Sequence, residues 1–160
     1  MLRRWAEAVR RNHALEHATV SVLLARHGPR RLAGRASVDG FLIAGDITPE
    51  ELISCTTEAL QRLKSGQSSL AVSPLCGTNI AVAGFVAAAA ATAVLATGEP
   101  RSRFANAFVA AMFGVIAAQP LGRLVQQHVT TSSDLSEVEV VGTRRVAGKL
   151  QKLQTRSRPA

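Results

Sequence analysis

Two histidines and a glutamate near the amino terminus are the residues whose spacing first suggests chemistry. They stand as His13-Ala-Leu-Glu16-His17. On an α-helix, positions i, i+3 and i+4 share one face. His13 and His17 can then reach one metal ion, and Glu16 is placed to take a proton from a water that the ion activates. This is the inverted zincin pattern H-x-x-E-H, with two imidazole ligands and a general base. Four His and eight Glu in 160 residues give it about 0.005 chance occurrences. The spacing suits a packing role as well. Trp5, Val9, His13, His17, Val20 and Leu24 follow one side of the helix, where imidazoles can be buried and hydrogen-bonded with Glu16 as partner. A catalytic zinc also needs a third protein ligand, which this helix does not supply.

A chain of 160 residues holds one domain, or a small domain with a membrane element. Nineteen Lys and Arg against eleven Asp and Glu give a net charge of +8, a balance that suggests nucleic acid first. There is no tyrosine, however, and Phe85, Phe104, Phe108 and Phe113 all lie in apolar runs. No aromatic platform for stacking bases exists, and a nucleic-acid partner is excluded on that ground. Two cysteines are too few for a disulfide scaffold. No secretory leader is expected, because Glu7, Arg10 and Arg11 interrupt any apolar region after Arg3 and Arg4.

The elements that would position the motif follow in order. A first helix over 2–27 ends at His27-Gly28-Pro29. Two short strands, 30–37 and 41–46, are joined at Asp39-Gly40, a type I′ hairpin signal that asks for positive φ at both residues. Thr48-Pro49-Glu50-Glu51 opens a second helix with a capping box. Its apolar stripe is Leu52, Cys55, Ala59, Leu60 and Leu63, so Cys55 reads as core, and Gly66 ends the helix. A third strand is expected over 70–73 and a fourth over 136–142, joining the first two.

Between these lie two uncharged stretches of nineteen residues, 79–97 and 104–122, linked by Gly98-Glu-Pro-Arg-Ser-Arg103. Each is near the length that spans a bilayer. Small residues recur every four positions, Gly84, Ala88, Thr92 and Ala96 on one and Ala110, Gly114 and Ala118 on the other, the pattern that lets membrane helices approach closely. A buried Ala-rich hairpin in a soluble core is the alternative. Ten Lys and Arg precede Asn79, two lie in the link, and seven follow Gly122. The positive-inside rule then places both termini in the cytoplasm of a bacterial inner (plasma) membrane, with the excess basic charge against anionic lipid. The fold class is α+β: a small cytoplasmic helix and β-hairpin domain packed on a two-helix transmembrane hairpin. Residues 1–78 form the cytoplasmic portion with the HxxEH helix, 79–122 the hairpin, 123–147 a return segment carrying a strand, and 148–160 a frayed basic tail.

An antiparallel hairpin returns the chain to the side it left. Ser73-Pro-Leu-Cys76-Gly-Thr78-Asn79 enters the first span and Gln126-Gln127-His128-Val-Thr-Thr131 leaves the second. Cys76 and His128 thereby become neighbours, and either can be the third ligand beside His13 and His17. Thiolate and imidazole both suit Zn²⁺. Thr78, Asn79 and Gln127 are candidates to orient ligands, or simply to cap the span ends. Cys76 also reads as a small residue before a span, and His128 as an interfacial histidine at a helix end.

His-Ala-Leu-Glu-His-Ala-Thr (13–19), Cys-Gly-Thr-Asn (76–79) and Val-Thr-Thr (129–131) resemble a bacterial membrane-protein family, domain-of-unknown-function family 6391. The pairing of HxxEH with Cys-Gly-Thr is also similar to a second family that carries His-Gly-Ala-Glu-His and Cys-Gly-Thr-Ser. The resemblance covers roughly residues 10–140 and implies that the motifs serve one site; it implies no activity. The second family commonly has a His just before the Cys, where this chain has Ser73-Pro74-Leu75.

The leading expectation is a small integral-membrane zinc protein of the metallopeptidase type, acting on a peptide or membrane-protein substrate at the bilayer surface. The alternative is a non-enzymatic membrane subunit or assembly factor whose His/Glu/Cys cluster is structural. A thiol redox role for Cys76 is a third. Self-association stays open. No Walker loop, dinucleotide fingerprint or serine elbow is present.

Overall fold

A computed structural model describes residues 2–97 and 102–157. The chain divides into two compact units, one made of Met1–Ser73 with Gln127–Ala160, the other of Pro74–Gln126. The fold is α+β, with a four-stranded antiparallel sheet.

The first unit opens with helix α1, Leu2–His27, followed by strands β1, Ala33–Ser37, and β2, Gly40–Ala44, and then helix α2, Pro49–Lys64. α1 runs to its expected end, where Gly28 takes φ +78. The β1–β2 hairpin forms as well, but its turn differs from the expected one. Ser37 pairs with Gly40, so Val38 and Asp39 are the central residues, and neither has positive φ. Gly40 alone takes the unusual conformation, at φ +131, where a Cβ would strike the Leu153 carbonyl. The capping box of α2 is complete, with the Thr48 hydroxyl accepting from the Glu51 amide and the Glu51 carboxylate accepting from the Thr48 amide. That bond, ahead of the nearby Arg30, holds the Glu51 carboxyl below its ordinary value.

Two expectations fail in this unit. Residues 70–73 form no strand: Ser68–Ala71 is a 3₁₀ turn and Val72 follows in extended conformation. The 3₁₀ turn takes up Leu70 and Ala71 of the expected strand, which leaves too few extended residues to form a ladder. The basic tail is no tail. β3, Val138–Ala147, turns at Gly148 into β4, Leu150–Ser157, and the sheet order is β1-β2-β4-β3. The expected strand over 136–142 is therefore real but longer, and it reaches the N-terminal strands only through β4.

Helices α1 and α2 cover one side of this sheet. Leu15, Leu23, Phe41, Leu52, Cys55, Leu135 and Leu153 are within 1% of full burial and form one apolar cluster. Burial pushes the Cys55 thiol up, as expected for a core cysteine. Two polar contacts join distant segments of the unit. Asn12 donates to the Ser37 and Val38 carbonyls at the hairpin turn and accepts from the Thr155 hydroxyl. Lys152, 6% exposed, pairs with Asp39 at 2.6 Å and with the Ser37 hydroxyl, which lets its ammonium sit inside a small protein.

The second unit is a helical hairpin of α3, Gly77–Thr97, and α4, Arg103–Val125. Both helices are long and apolar enough to cross a membrane; at 1.5 Å per residue, twenty-one residues extend about 30 Å. No side chain of α3 is buried, and Ile80, Phe85, Phe104, Phe113 and Ile116 are all exposed. Of the expected small-residue stripe of α4, Gly114 and Ala118 are buried and Ala110 is half-buried, and the buried side also takes in Ala107 and Gly122. A Cβ at Gly114 would come within 3.0 Å of the Ala87 backbone. The expected stripe of α3 is misplaced: Gly84 faces open space, and the contact side passes through Asn79 and Ala87. An alanine-rich helix is small on every face, so spacing alone does not choose one. Of the connecting segment, residues 98–101 lie outside the described residues. α4 leads into a π-helical turn, Gln126–Thr130.

Candidate metal centre

The site is built from the middle of α1 outward. His13 is half-buried and His17 is 5% exposed. Their ring centroids are 4.3 Å apart and tilted by 59°, and a ligand nitrogen of one lies within 4.8 Å of one on the other. One helical turn between residues i and i+4 produces this closeness, as the sequence spacing required.

What turns the rings is less obvious from sequence. His17 Nδ1 lies 2.8 Å from the Ala71 carbonyl, and His13 Nδ1 lies 2.9 Å from the Thr130 carbonyl. A carbonyl only accepts, so Nδ1 is the donor in both rings. Each Nε2 then carries the lone pair of the neutral ring. Metal-binding histidines characteristically have one nitrogen fixed to a backbone oxygen in this way.

Both carbonyls are available for local reasons. Ala71 closes the 3₁₀ turn. Thr130 closes the π-helical turn, where the last carbonyls have no partner inside the helix. Arg10 holds the same turn against α1, donating to the His128 and Thr131 carbonyls at 3.1 Å each, while its own carbonyl accepts from the Ser132 amide. Arg11 adds an ion pair with Asp134 at 3.6 Å. Hydrogen bonds from Ser136, more than Arg11, hold the Asp134 carboxyl below its usual range. Sequence reasoning passed over Arg10 because its partners are backbone atoms more than a hundred residues away.

Glu16 is 7% exposed. Its carboxyl group rests on Gly34 of β1, so closely that a Cβ at position 34 would overlap it. The glutamate thus faces the sheet, whereas the imidazoles face the 3₁₀ and π-helical turns. His128 is exposed and lies outside the ligand group that contains the two α1 histidines. Together with Gln127 it lines a cleft of about 330 Å³, whose other walls are Ser68, Ser69, Ala71, Val72, Thr131 and Ser133.

In the second unit, Cys76 is 7% exposed and precedes α3. Its sulfur accepts from the Thr78 amide at 3.4 Å, the first turn of a helix being a source of such donors. Asn79 fixes this turn. Its side-chain Nδ2 donates to the Pro74 carbonyl at 3.1 Å, and its side-chain oxygen accepts from Gln126 at 2.7 Å. The polar partner of Asn79 is therefore Gln126, fully buried. Gly122 makes room for it, since a Cβ there would meet the Asn79 oxygen.

A paired-imidazole face on the central helix of an α+β unit, joined to an apolar helical hairpin, defines the class of protein. The chain belongs to the family described as domain of unknown function 6391, which matches residues 8–143. It is 34% identical over 139 residues to an uncharacterized protein of Picosynechococcus sp. (strain PCC 7002), covering 80% of this chain and 68% of that protein. No solved structure matches it.

Proposed function

We propose that this is an integral-membrane zinc protein in which His13, His17 and Cys76 hold the metal and Glu16 is the general base of a peptide hydrolase. The observation that carries the reading is the pair of Nδ1-to-carbonyl bonds on adjacent imidazoles. They set both rings in the tautomer that ligation by Nε2 needs. Covalent connection supports Cys76 as the third ligand. Ala71, which holds His17, precedes it by five residues, a reach of at most about 17 Å. Two imidazoles and a thiolate are donors that zinc favours, and a zinc ion held by them would supply Lewis-acid polarisation of a carbonyl and a more acidic water. Glu16 would take the proton from the attacking water and return it to the leaving amine, a role that needs its carboxylate turned from Gly34 toward the imidazoles. Gly34 gives that carboxyl its room. His128, on the cleft at 127–133, is placed to contact substrate rather than to ligate.

Helices α3 and α4 are the transmembrane hairpin of this proposal, with both termini on the cytoplasmic side of a bacterial inner membrane. The ten, two and seven basic residues before, between and after the spans support that orientation.

Metal content of the detergent-purified protein tests the centre. About one zinc per chain is expected, lost in His13→Ala and in Cys76→Ser. Glu16→Gln keeps the zinc and loses peptide hydrolysis. Wild-type protein that takes up no zinc when it is offered refutes the centre. The burial of Glu16 against β1 favours a second reading, a locking cluster in a non-enzymatic membrane subunit. Under that reading Glu16→Gln leaves both zinc content and function unchanged.

A further inference from the structure

The start of α1 projects beyond the core it serves. Residues 2–6 are all exposed, and burial begins in earnest only at Asn12. Leu2 is 86% exposed and Trp5 58%, costly positions for large apolar side chains on a water-facing helix end. On a helical projection Leu2, Trp5 and Val9 lie on one side, continuous with His13 and His17 farther along. Arg3 and Arg4 flank that stripe. Arg10 and Arg11, one turn or two beyond, have acidic partners in Glu7 and Asp134. Arg3 and Arg4 form no ion pair among the described residues.

We propose that the first turns of α1 lie in the surface of an anionic bilayer, with Leu2 and Trp5 in the headgroup and acyl boundary and Arg3 and Arg4 against lipid phosphates. Charge complementarity selects this occupant. Tryptophan beside arginine is the composition of a membrane-interface anchor, because the indole is apolar with one polar edge and arginine reaches out to phosphate. A protein surface that covered Leu2 and Trp5 would leave the two guanidinium groups to be matched separately. The consequence concerns the imidazoles. They lie on the same side of α1, two to three turns farther along and beneath the turns that carry Ala71 and Thr130, so the anchor sets the centre near the membrane surface, and its substrate is a polypeptide segment at or just emerging from the bilayer. This rests on the membrane reading above.

Trp5 is the single tryptophan of the chain, so intrinsic fluorescence reports this helix end alone. The full chain is reconstituted in phosphatidylcholine vesicles with and without phosphatidylglycerol, and part of the phosphatidylcholine is replaced by lipid brominated on its acyl chain. The expected results are blue-shifted emission, loss of most of it to bromine, and protection from aqueous iodide. Arg3→Gln with Arg4→Gln should shift the emission back to the red and weaken the dependence on phosphatidylglycerol. Iodide quenching as in a free peptide, with no effect of bromine, overturns the proposal. Protection from iodide without bromine quenching also overturns it, because a protein partner such as a second copy then covers Trp5. Alkaline carbonate extraction separates this from the span reading. Protein that stays in the vesicles with a water-exposed Trp5 loses the anchor only; protein that is extracted loses the spans, and Trp5 still decides the anchor.

Discussion

Replacing Gly34 by alanine should destabilise the protein through Glu16 and not through β1. In a strand, alanine is ordinarily the better residue, by about 0.5–1 kcal/mol, because glycine loses more freedom on folding. Here the added Cβ would sit 2.5 Å from Glu16 Cδ and 2.9 Å from Cγ, where carbon contacts prefer about 3.5–4.0 Å. Glu16 has little freedom to retreat. It is 7% exposed, between the fully buried Leu15 and the buried His17 on α1, and Asn12 ties that helix to the hairpin turn. Overpacking of this kind costs about 1–3 kcal/mol, which lowers Tm by roughly 2–10 °C for a chain of this length. The assay is thermal unfolding of the purified protein in detergent, run as a double-mutant cycle with Glu16→Ala. Without the glutamate side chain, Gly34→Ala should become neutral or stabilising, so the coupling exceeds the single effect. An equal loss in both backgrounds would refute the contact and the orientation it gives Glu16.

Other outcomes follow from contacts of the same kind. Gly114→Ala should weaken the α3–α4 pair, since its Cβ meets the Ala87 backbone, whereas Gly84→Ala should be neutral or stabilising by up to about 1 kcal/mol; a helix-association assay on the two variants in detergent tests the contrast. Gln126→Leu should cost about 1–3 kcal/mol by leaving the Asn79 side chain without its 2.7 Å donor, read as a lower Tm of the purified protein. Asp39 is held below its usual range by Lys152 first and Ser37 second. A depressed carboxylate adds stability above its unfolded pKa and loses it as pH falls through the folded value, so this contribution is constant near neutrality and fades below about pH 4. The side chain of Asp39 is 64% exposed, so the loss is about 1 kcal/mol or less, and acid titration of Asp39→Asn beside wild type should show it missing in the variant.

The readable parts of this fold were those fixed by local rules. HxxEH on a helix, the Thr48 capping box, the Gly66 terminator and the buried stripe of α2 each depend on residues within four positions of one another. The parts that sequence hid depend on distant partners. β4 reads Leu-Gln-Lys-Leu-Gln-Thr-Arg-Ser, which looks like a solvated tail because two of its buried positions are Gln151 and Lys152. Gln151 is buried by donating to the Ile47 carbonyl, and Lys152 by Asp39 and Ser37, partners that no local pattern reveals. The candidate site divides in the same way. The spacing of the two imidazoles was plain, whereas the carbonyls of Ala71 and Thr130 that orient them come from irregular turns. The bond from Gln126 to Asn79 was hidden too, because it joins residues 47 positions apart on different helices.

The place of β4 inside the sheet has a consequence for biosynthesis. It is hydrogen-bonded to β2 on one side and β3 on the other, and its pairing with the first hairpin spans a separation of 115 residues at Lys152 and Ser37. A growing chain therefore exposes α1, α2 and the β1–β2 hairpin, with an open strand edge, throughout synthesis of the intervening apolar helices. Closing so long a loop is slow, and open edges invite aggregation. The sheet locks only after the helical hairpin has been synthesised, so the unit that carries the imidazole pair closes behind it. Removing residues 150–157 would take out the middle of the sheet and leave the helices without a floor.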